Sequence, residues 1–318
     1  MRSRLRSGRI QVLSGLIFLL CANFTPATPS HPLSCAEQTG ALLAAGDTTG
    51  ALAALDNKLR ANNEDHAALL ERGWLRLELD RKDLAAEDFK LALGSESGDL
   101  RISAYIGLAW CSHVPGKRRS VAMGYIRRAL AVDSGSKEAL YAKTMIMLDF
   151  EPTTDDVRVA KRALFRLLET DFTYRDAYRL WRDVVMDRTD KEIRKVDKLL
   201  AAYLDTHPDS ASWRLDLAWD RYLVESAQAA LDELAALENL NPEFSHPDQL
   251  LLKSRCRLES GDTLAFQSLY WQAVDLAGQT GQFDRLITEA ATIFTPEDQD
   301  RFEQAVADGA RQKFLHFF

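Results

Sequence analysis

Residue types able to do chemistry are present in this 318-residue chain, but their spacing does not assemble them. Its six histidines are His31, His66, His113, His207, His246 and His316. None has a metal-ligating neighbour at helical spacing, and the HExxH pattern of zinc hydrolases is missing. Four cysteines, Cys21, Cys35, Cys111 and Cys256, form no CxxC pair, so a zinc ribbon or a thioredoxin-like redox site has no support. No GxSxG nucleophile elbow occurs. The stretch GSESGDL (94–100) is rich in glycine but lacks the lysine of a phosphate loop and joins two helical segments. The acids Glu64 with Asp65, and Asp155 with Asp156, stand at helix starts, where they complement the helix dipole. Lys117-Arg118-Arg119 is the one basic cluster of the body and lies in a turn, as expected of a solvated loop. Lone groups of this kind support neither catalysis nor a metal or cofactor. The expectation is a non-enzyme with no catalytic residue, no metal and no cofactor.

The elements carrying these residues are helical. Apolar residues make up 46% of the chain, dominated by Ala and Leu, and prolines number nine. Good helix formers with few β-branched residues favour helices over strands. The formal charge is −7, and it is uneven. Without Arg2, Arg4, Arg6 and Arg9 the chain holds 36 basic and 47 acidic residues, a net of −11. An acidic body lacks the basic face that neutralises phosphates, so a nucleic-acid partner is not expected.

Those four arginines and the apolar run VLSGLIFLLCANF (12–24) have the form of an export signal over residues 1–27, with Thr25-Pro26-Ala27 at the cleavage point. A spanning helix needs about 20 apolar residues, more than this run offers. The expected location is therefore periplasmic or extracellular. The minor alternative is a membrane anchor over residues 10–24, the single route to a membrane. Lipid attachment at Cys21 is a weaker option, because Leu20 precedes it where lipoproteins carry a small residue. Cys111 and Cys256 fall inside amphipathic helices and are expected as small buried apolar side chains. A Cys35 disulfide stays open, with no assignable partner.

The helices recur. In ERGWLRLELDRKDLAAEDFKLAL (71–93), Gly73 sits mid-helix, Asp80 to Asp83 make a turn, and Ala85, Phe89 and Ala92 share one face of the next helix. A step of 34 residues forward takes Gly73 to Gly107, and 34 back takes Ala85 to Ala51 and Phe89 to Leu55. A fixed period built from two antiparallel helices marks a solenoid.

On these residues the unit resembles a tetratricopeptide repeat. That family's small eighth and twentieth positions, bulky twenty-fourth and small twenty-seventh fall on Gly73, Ala85, Phe89 and Ala92. The next unit gives Gly107, Ala122, Ile126 and Ala129, with three extra turn residues in HVPGKRRS (113–120). Then come Thr144, Ala160, Leu164 and Leu167, with the longer turn FEPTTDD (150–156). The last two sets are Arg182, Val196, Leu200 and Tyr203, then Ala218, Ala230, Leu234 and Leu237. The resemblance spans about 34–275, after a linker at 28–33. It implies an all-α fold, a right-handed superhelical α-solenoid of about six to seven stacked helix pairs. The unit at 174–208 departs most, with Arg182 at a small position, and a wider helix crossing is expected there. Phe89, Trp110, Ile126 and Leu164 are expected in the core.

The resemblance also implies that first helices line a concave groove through positions two, five, nine, twelve and thirteen. In this chain these positions include Leu70, Trp74 and Glu78, Arg101 and Leu108, Glu138 and Tyr141, Arg179 and Asp183, and Leu215, Trp219 and Tyr222. The binding candidates are Leu70, Trp74, Glu78, Arg101, Tyr141, Arg179, Trp219 and Tyr222. Among them Trp74, Tyr141, Trp219 and Tyr222 are expected as exposed aromatic anchors, since such side chains dominate interface energetics. The partner expected is a peptide or helix of another protein. Leu70 and Trp74 stand where chaperone-binding members begin a carboxylate clamp, so chaperone tails are not expected.

Residues 276–318 form either capping helices or the start of a following domain. Thr295-Pro296-Glu297-Asp298 has the form of a helix start. The stretch 295–318 is similar, over a short length, to the opening of a bacterial GWxTD-type domain, though its naming motif is absent. The function expected is a non-catalytic interaction scaffold of the bacterial cell envelope or exterior. The alternative is the repeat region of a larger envelope protein, GWxTD-type or enzyme, whose active domain is missing.

Overall fold

A computed structural model of the chain describes residues 37–115, 119–149, 152–182, 190–290 and 295–317. The export signal, the linker, Cys21, Cys35, Lys117, Arg118 and Asp183 lie outside the described residues. The described residues are helical and contain no strand. They divide into two compact units, residues 1–186 and 187–318.

In the first unit, α1 (Glu37–Ala44) pairs with α2 (Thr48–Ala61), α3 (His66–Glu78) with α4 (Lys82–Ala92), α5 (Gly98–Ser112) with α6 (Arg119–Val132), and α7 (Lys137–Leu148) with α8 (Thr154–Thr170). The short α9 (Ala177–Leu180) follows. Each second helix also packs on the first helix of the next hairpin, and α3 touches α5 as α5 touches α7. Every hairpin therefore covers its neighbour's apolar face, which is how a solenoid buries a core no single pair could close.

Local sequence sets the breaks. Asp47, Asp65, Ser97, Ser136 and Thr153 cap helix starts by accepting from backbone N–H groups three residues on. Thr153 and Asp156 close a reciprocal capping box. Between paired helices the chain crosses into the left-handed region at Gly46 (φ 78) and again 34 residues later at Asp80 (φ 56). Asp tolerates that conformation better than most side-chain-bearing residues, so the turn survives without glycine.

The repeat's small and bulky positions build the core as the period requires. Ala51, Ala85, Phe89, Ala92, Ala122, Ile126, Ala129, Thr144, Ala160, Leu164 and Leu167 are all fully buried. Phe89 is wedged between hairpins. A Cβ added at Gly73 would lie 2.8 Å from its Cε1, and one at Gly107 2.5 Å from its Cε2. Trp74 meets the same ring edge-on at 5.2 Å. Trp110 is half-buried, packed against this core from its border.

The second unit holds α10 (Asp190–Thr206), α11 (Ala211–Val224) paired with α12 (Ala227–Leu240), and α13 (Pro247–Glu259) paired with α14 (Thr263–Thr280). After these come α15 (Asp284–Ala290), α16 (Pro296–Ala307) and α17 (Arg311–Phe317). Ala218, Ala230, Leu234 and Leu237 fill the seam between α11 and α12, again at the repeat's positions. The helix α14 stops at Gly281, whose φ of 75 ends it in the left-handed region. Thr295 caps α16 with a capping box to Asp298 and with Pro296 in the first turn. The closing helix α17 packs on α14. Leu315 is fully buried there, and Asp275 accepts from Gln312 at 3.1 Å and pairs with His316 at 2.8 Å. The wide helix crossing expected at 174–208 involves residues 183–189, outside the described residues.

Candidate binding surface

The first helices place the expected contact residues at two depths. Leu70 is fully buried and Trp74 is 2% exposed. Tyr141 and Trp219 are buried as well. These placements correct the expectation of exposed aromatic anchors. Their side chains enter the seam between successive hairpins rather than the open face. Trp74 Nε1–H donates to Ser103 Oγ at 3.0 Å, reaching from α3 to α5. Tyr141 donates its hydroxyl proton to Asp176 Oδ1 at 2.7 Å, and burial with this bond pushes the phenol well above its ordinary value. Trp219 lies under the Arg285 guanidinium, 4.3 Å from the ring centre. Leu108 and Leu215 are buried too.

What stays accessible is the border of that floor. In the first unit, Glu78 and Arg179 are exposed, and Arg101 and Glu138 are half-buried. Beside them stands a group that the period alone did not reveal. Tyr174 meets Tyr141 edge-on at 5.9 Å. The Arg175 guanidinium lies 5.0 Å from the Tyr141 ring centre and 5.4 Å from that of Tyr174, while Lys137 Nζ covers Tyr174 at 5.5 Å. Lys137 also pairs with Asp171 at 2.8 Å, a link of 34 residues. Arg175 holds φ 49, unusual for a residue with a side chain. A half-buried tyrosine face between two cations can take an aromatic or cationic-π contact, and the neighbouring charges can orient polar groups of a bound chain. The available signal was the repeat step itself: Asp171 stands 34 residues after Lys137 and Tyr174 in the linker just beyond it.

In the second unit, Tyr222 is half-buried and edge-on to Trp219 at 6.1 Å. Its hydroxyl donates to Glu259 Oε1 at 3.1 Å. Burial, helped by the Glu259 charge, pushes the phenol up to about 12, so it remains a donor at neutral pH. Arg285 also pairs with Asp248 at 2.9 Å and lies 3.7 Å from Asp216. Sequence reasoning missed Arg285, because it comes from α15, beyond the repeats that mark the other positions. Among the described residues, no group of three or more His, Cys, Asp or Glu is placed to hold a metal ion. Nor is any described helix long and apolar enough to cross a membrane.

No protein family matches the chain, and no curated protein matches it. Solved structures do. A tetratricopeptide repeat protein from Parabacteroides merdae aligns at 15% identity over 80% of this chain and 94% of its own, with a TM-score of 0.42. Yeast Tom70 aligns at 15% identity over 95% of this chain and 72% of its own, with a TM-score of 0.44. YrrB, described as a TPR protein with an unusual peptide-binding site, aligns at 17% identity over 67% and 86%, with a TM-score of 0.31. The hairpin geometry of this chain, not these partial overlays, defines it as an all-α solenoid of tetratricopeptide-like units.

Proposed function

We propose that this chain is a non-catalytic scaffold that binds an extended peptide or helix of a partner protein on its first-helix face. The observation that carries the proposal is the accessible border of Glu78, Arg101, Glu138, Tyr174 and Arg179 above a rigid buried floor. A floor locked by Trp74–Ser103 and Tyr141–Asp176 keeps the border residues in place, so little ordering is needed on binding. The basic and apolar amino-terminal segment supports export to the periplasm or beyond.

The test is crosslinking and mass spectrometry on the cell-envelope fraction, comparing the wild type with an E78A/R101A/Y174A variant. The expected result is one partner lost from the variant, whose thermal melt stays at the wild-type temperature. Equal recovery of that partner by both proteins overturns the proposal. Sequencing the amino terminus of the mature protein from the same fraction tests export. A terminus near residue 28 supports it, and an intact Met1 in the cytosol overturns it.

A further inference from the structure

Two slots at the same register of the repeat are filled in opposite ways. In the first, Arg72 of α3 lies between α2 and α4. Its Nε and Nη2 bind both oxygens of Asp88, at 3.1 and 2.6 Å, and its Nη1 reaches Asp56 at 2.7 Å. Arg76 adds a bond to Asp88 at 2.7 Å. Burial alone would push the Arg72 guanidinium down, but the bonds and charges of Asp88 and Asp56 together hold it above its ordinary value.

Counted from the small residue of each first helix, Lys143 of α7 occupies the place of Arg72. Counted from the small residue of each second helix, the place of Asp88 is taken by Ala163 on α8, and that of Asp56 by Arg127 on α6. Both carboxylates are gone, while the cation remains. Lys143 is half-buried and has no ion pair among the described residues. Its charged neighbours are Arg166 and Arg162, one turn apart on α8. Burial lowers the Lys143 ammonium below its ordinary value, and the two arginines push it further down. Arg166 is held by a hydrogen bond to Ser134 Oγ at 3.1 Å rather than by an acid, and Arg162 is exposed. Three other cations on these helices are paired with acids: Arg119 with Asp156, Lys137 with Asp171, and Arg158 with Asp155.

We propose that the slot formed by Lys143, Arg162 and Arg166 is a second docking site, taking an acidic protein segment whose paired carboxylates meet the exposed Arg162 and Arg166 beside Lys143 and supply the negative charge that Asp56 and Asp88 supply in the sister slot. Arg162 and Arg166 are about 6 Å apart along α8, a spacing matched by glutamates four apart on a helix. The sister slot shows the stoichiometry: one buried cation engages two carboxylates from separate elements. A single small anion would engage only part of the set. The site joins α7 to α8 and shares no residue with the border of Glu78, Arg101, Glu138, Tyr174 and Arg179.

A fluorescein-labelled helical peptide with glutamates at i and i+4 is the probe, with its glutamine counterpart as the neutral control, read by anisotropy at low salt. The wild type is expected to bind the glutamate peptide and not the glutamine one. A K143Q/R162Q/R166Q variant is expected to bind about tenfold more weakly. An A163D variant restores a carboxylate at the register of Asp88 and is expected to weaken binding similarly by filling the slot from within. An R60Q/K82Q/K90Q variant, matched in charge but altered on other helices, is expected to bind as the wild type does. The proposal falls if the glutamate peptide does not bind, if the slot variant binds it normally, or if the control variant loses as much. Displacement of the peptide by inorganic phosphate at equal concentration would make this a phosphate site and overturn the proposal too. Should A163D fail to fold, the glutamine variant decides.

Discussion

The ring of Phe89 lies so close to Gly107 that a methyl group there would sit 2.5 Å from its Cε2 and Cζ. The ring has little room to move, because Gly73 also crowds its Cε1 and Cζ and Trp74 packs against it edge-on. Alanine at 107 has an opposing benefit, since it gains about 1 kcal/mol of helix propensity over glycine. Overpacking a dense core costs about 1–3 kcal/mol, and here both the helix backbone and the ring are fixed. The Gly107→Ala variant is therefore expected to lose about 2 kcal/mol in urea unfolding. A second change, Phe89→Leu, should be less harmful in that background than in the wild type, a non-additivity that identifies the ring as the obstacle.

Asp88 has the most consequential charge in the first unit. Its side chain is 2% exposed and holds both Arg72 and Arg76. The same spacing of 12 residues recurs in the second unit, where Arg221 pairs with Glu233 at 2.9 Å. Removing one partner of a buried pair leaves the other charges desolvated, so Asp88→Ala is expected to cost about 3 kcal/mol. Asp56 binds the same Arg72 but is 39% exposed. Water replaces most of its contribution, and Asp56→Ala is expected to cost less than about 1 kcal/mol. Equal losses for the two variants in chemical unfolding would show that burial does not set the strength of this clamp.

The architecture was legible because the period reports which residues must be small. The 34-residue period marked Gly73, Ala85 and Gly107, the resemblance to the tetratricopeptide repeat added Ala122, and all four are buried. The depth of the first-helix residues was not legible. Position nine faces the groove or the seam according to a small rotation of the helix, and sequence spacing does not resolve that angle. Trp74 turns into the seam, where Ser103, 29 residues away in the next hairpin, supplies its hydrogen bond. The Tyr174 and Arg175 group stayed hidden for a related reason. It is assembled from a linker and a neighbouring helix, and although Lys137 and Asp171 stand one repeat step apart, Tyr174 and Arg175 lie at no position that the repeat's small and bulky pattern marks.

The Lys137–Asp171 pair links successive hairpins and should leave a mark on acid stability. Its hydrogen bond is the main force holding Asp171 below the ordinary carboxylate range, with Thr173 assisting against burial. The same bond holds Lys137 above its ordinary value. For the depressed carboxylate, the stabilisation is full above about pH 4, the unfolded value, and is lost as pH falls through the lower folded value. For the raised ammonium it is full below about pH 10 and lost as pH rises beyond that. The difference in urea midpoint between wild type and Asp171→Asn is thus expected to be constant from about pH 5 to 9 and to shrink below about pH 4. Lys137 is 40% exposed, so the plateau should stay under about 1 kcal/mol. A difference that grows on acidification would mean the carboxylate is not held by this lysine.

The two described cysteines should behave as packing residues rather than reagents. Both are free thiols. Burial, reinforced by Glu259, pushes the Cys256 thiol up to about 11, and its Sγ lies 3.6 Å from the carbonyl oxygen of Ala227. Burial pushes Cys111 up to about 12 against the opposing charge of Lys82. At about pH 8 a thiol with a value near 11 is roughly one part in a thousand thiolate, while an unperturbed cysteine is about a quarter ionised. Alkylation by iodoacetamide, followed site by site by mass spectrometry, is therefore expected to be at least about a hundredfold slower at both cysteines in the native protein than in denaturing urea. Native rates should still be rising steeply at about pH 9, as the thiolate fraction grows with each pH unit. Rapid native labelling of Cys256 would require the seam between α12 and α13 to open, and so would contradict the hairpin stacking on which the fold depends.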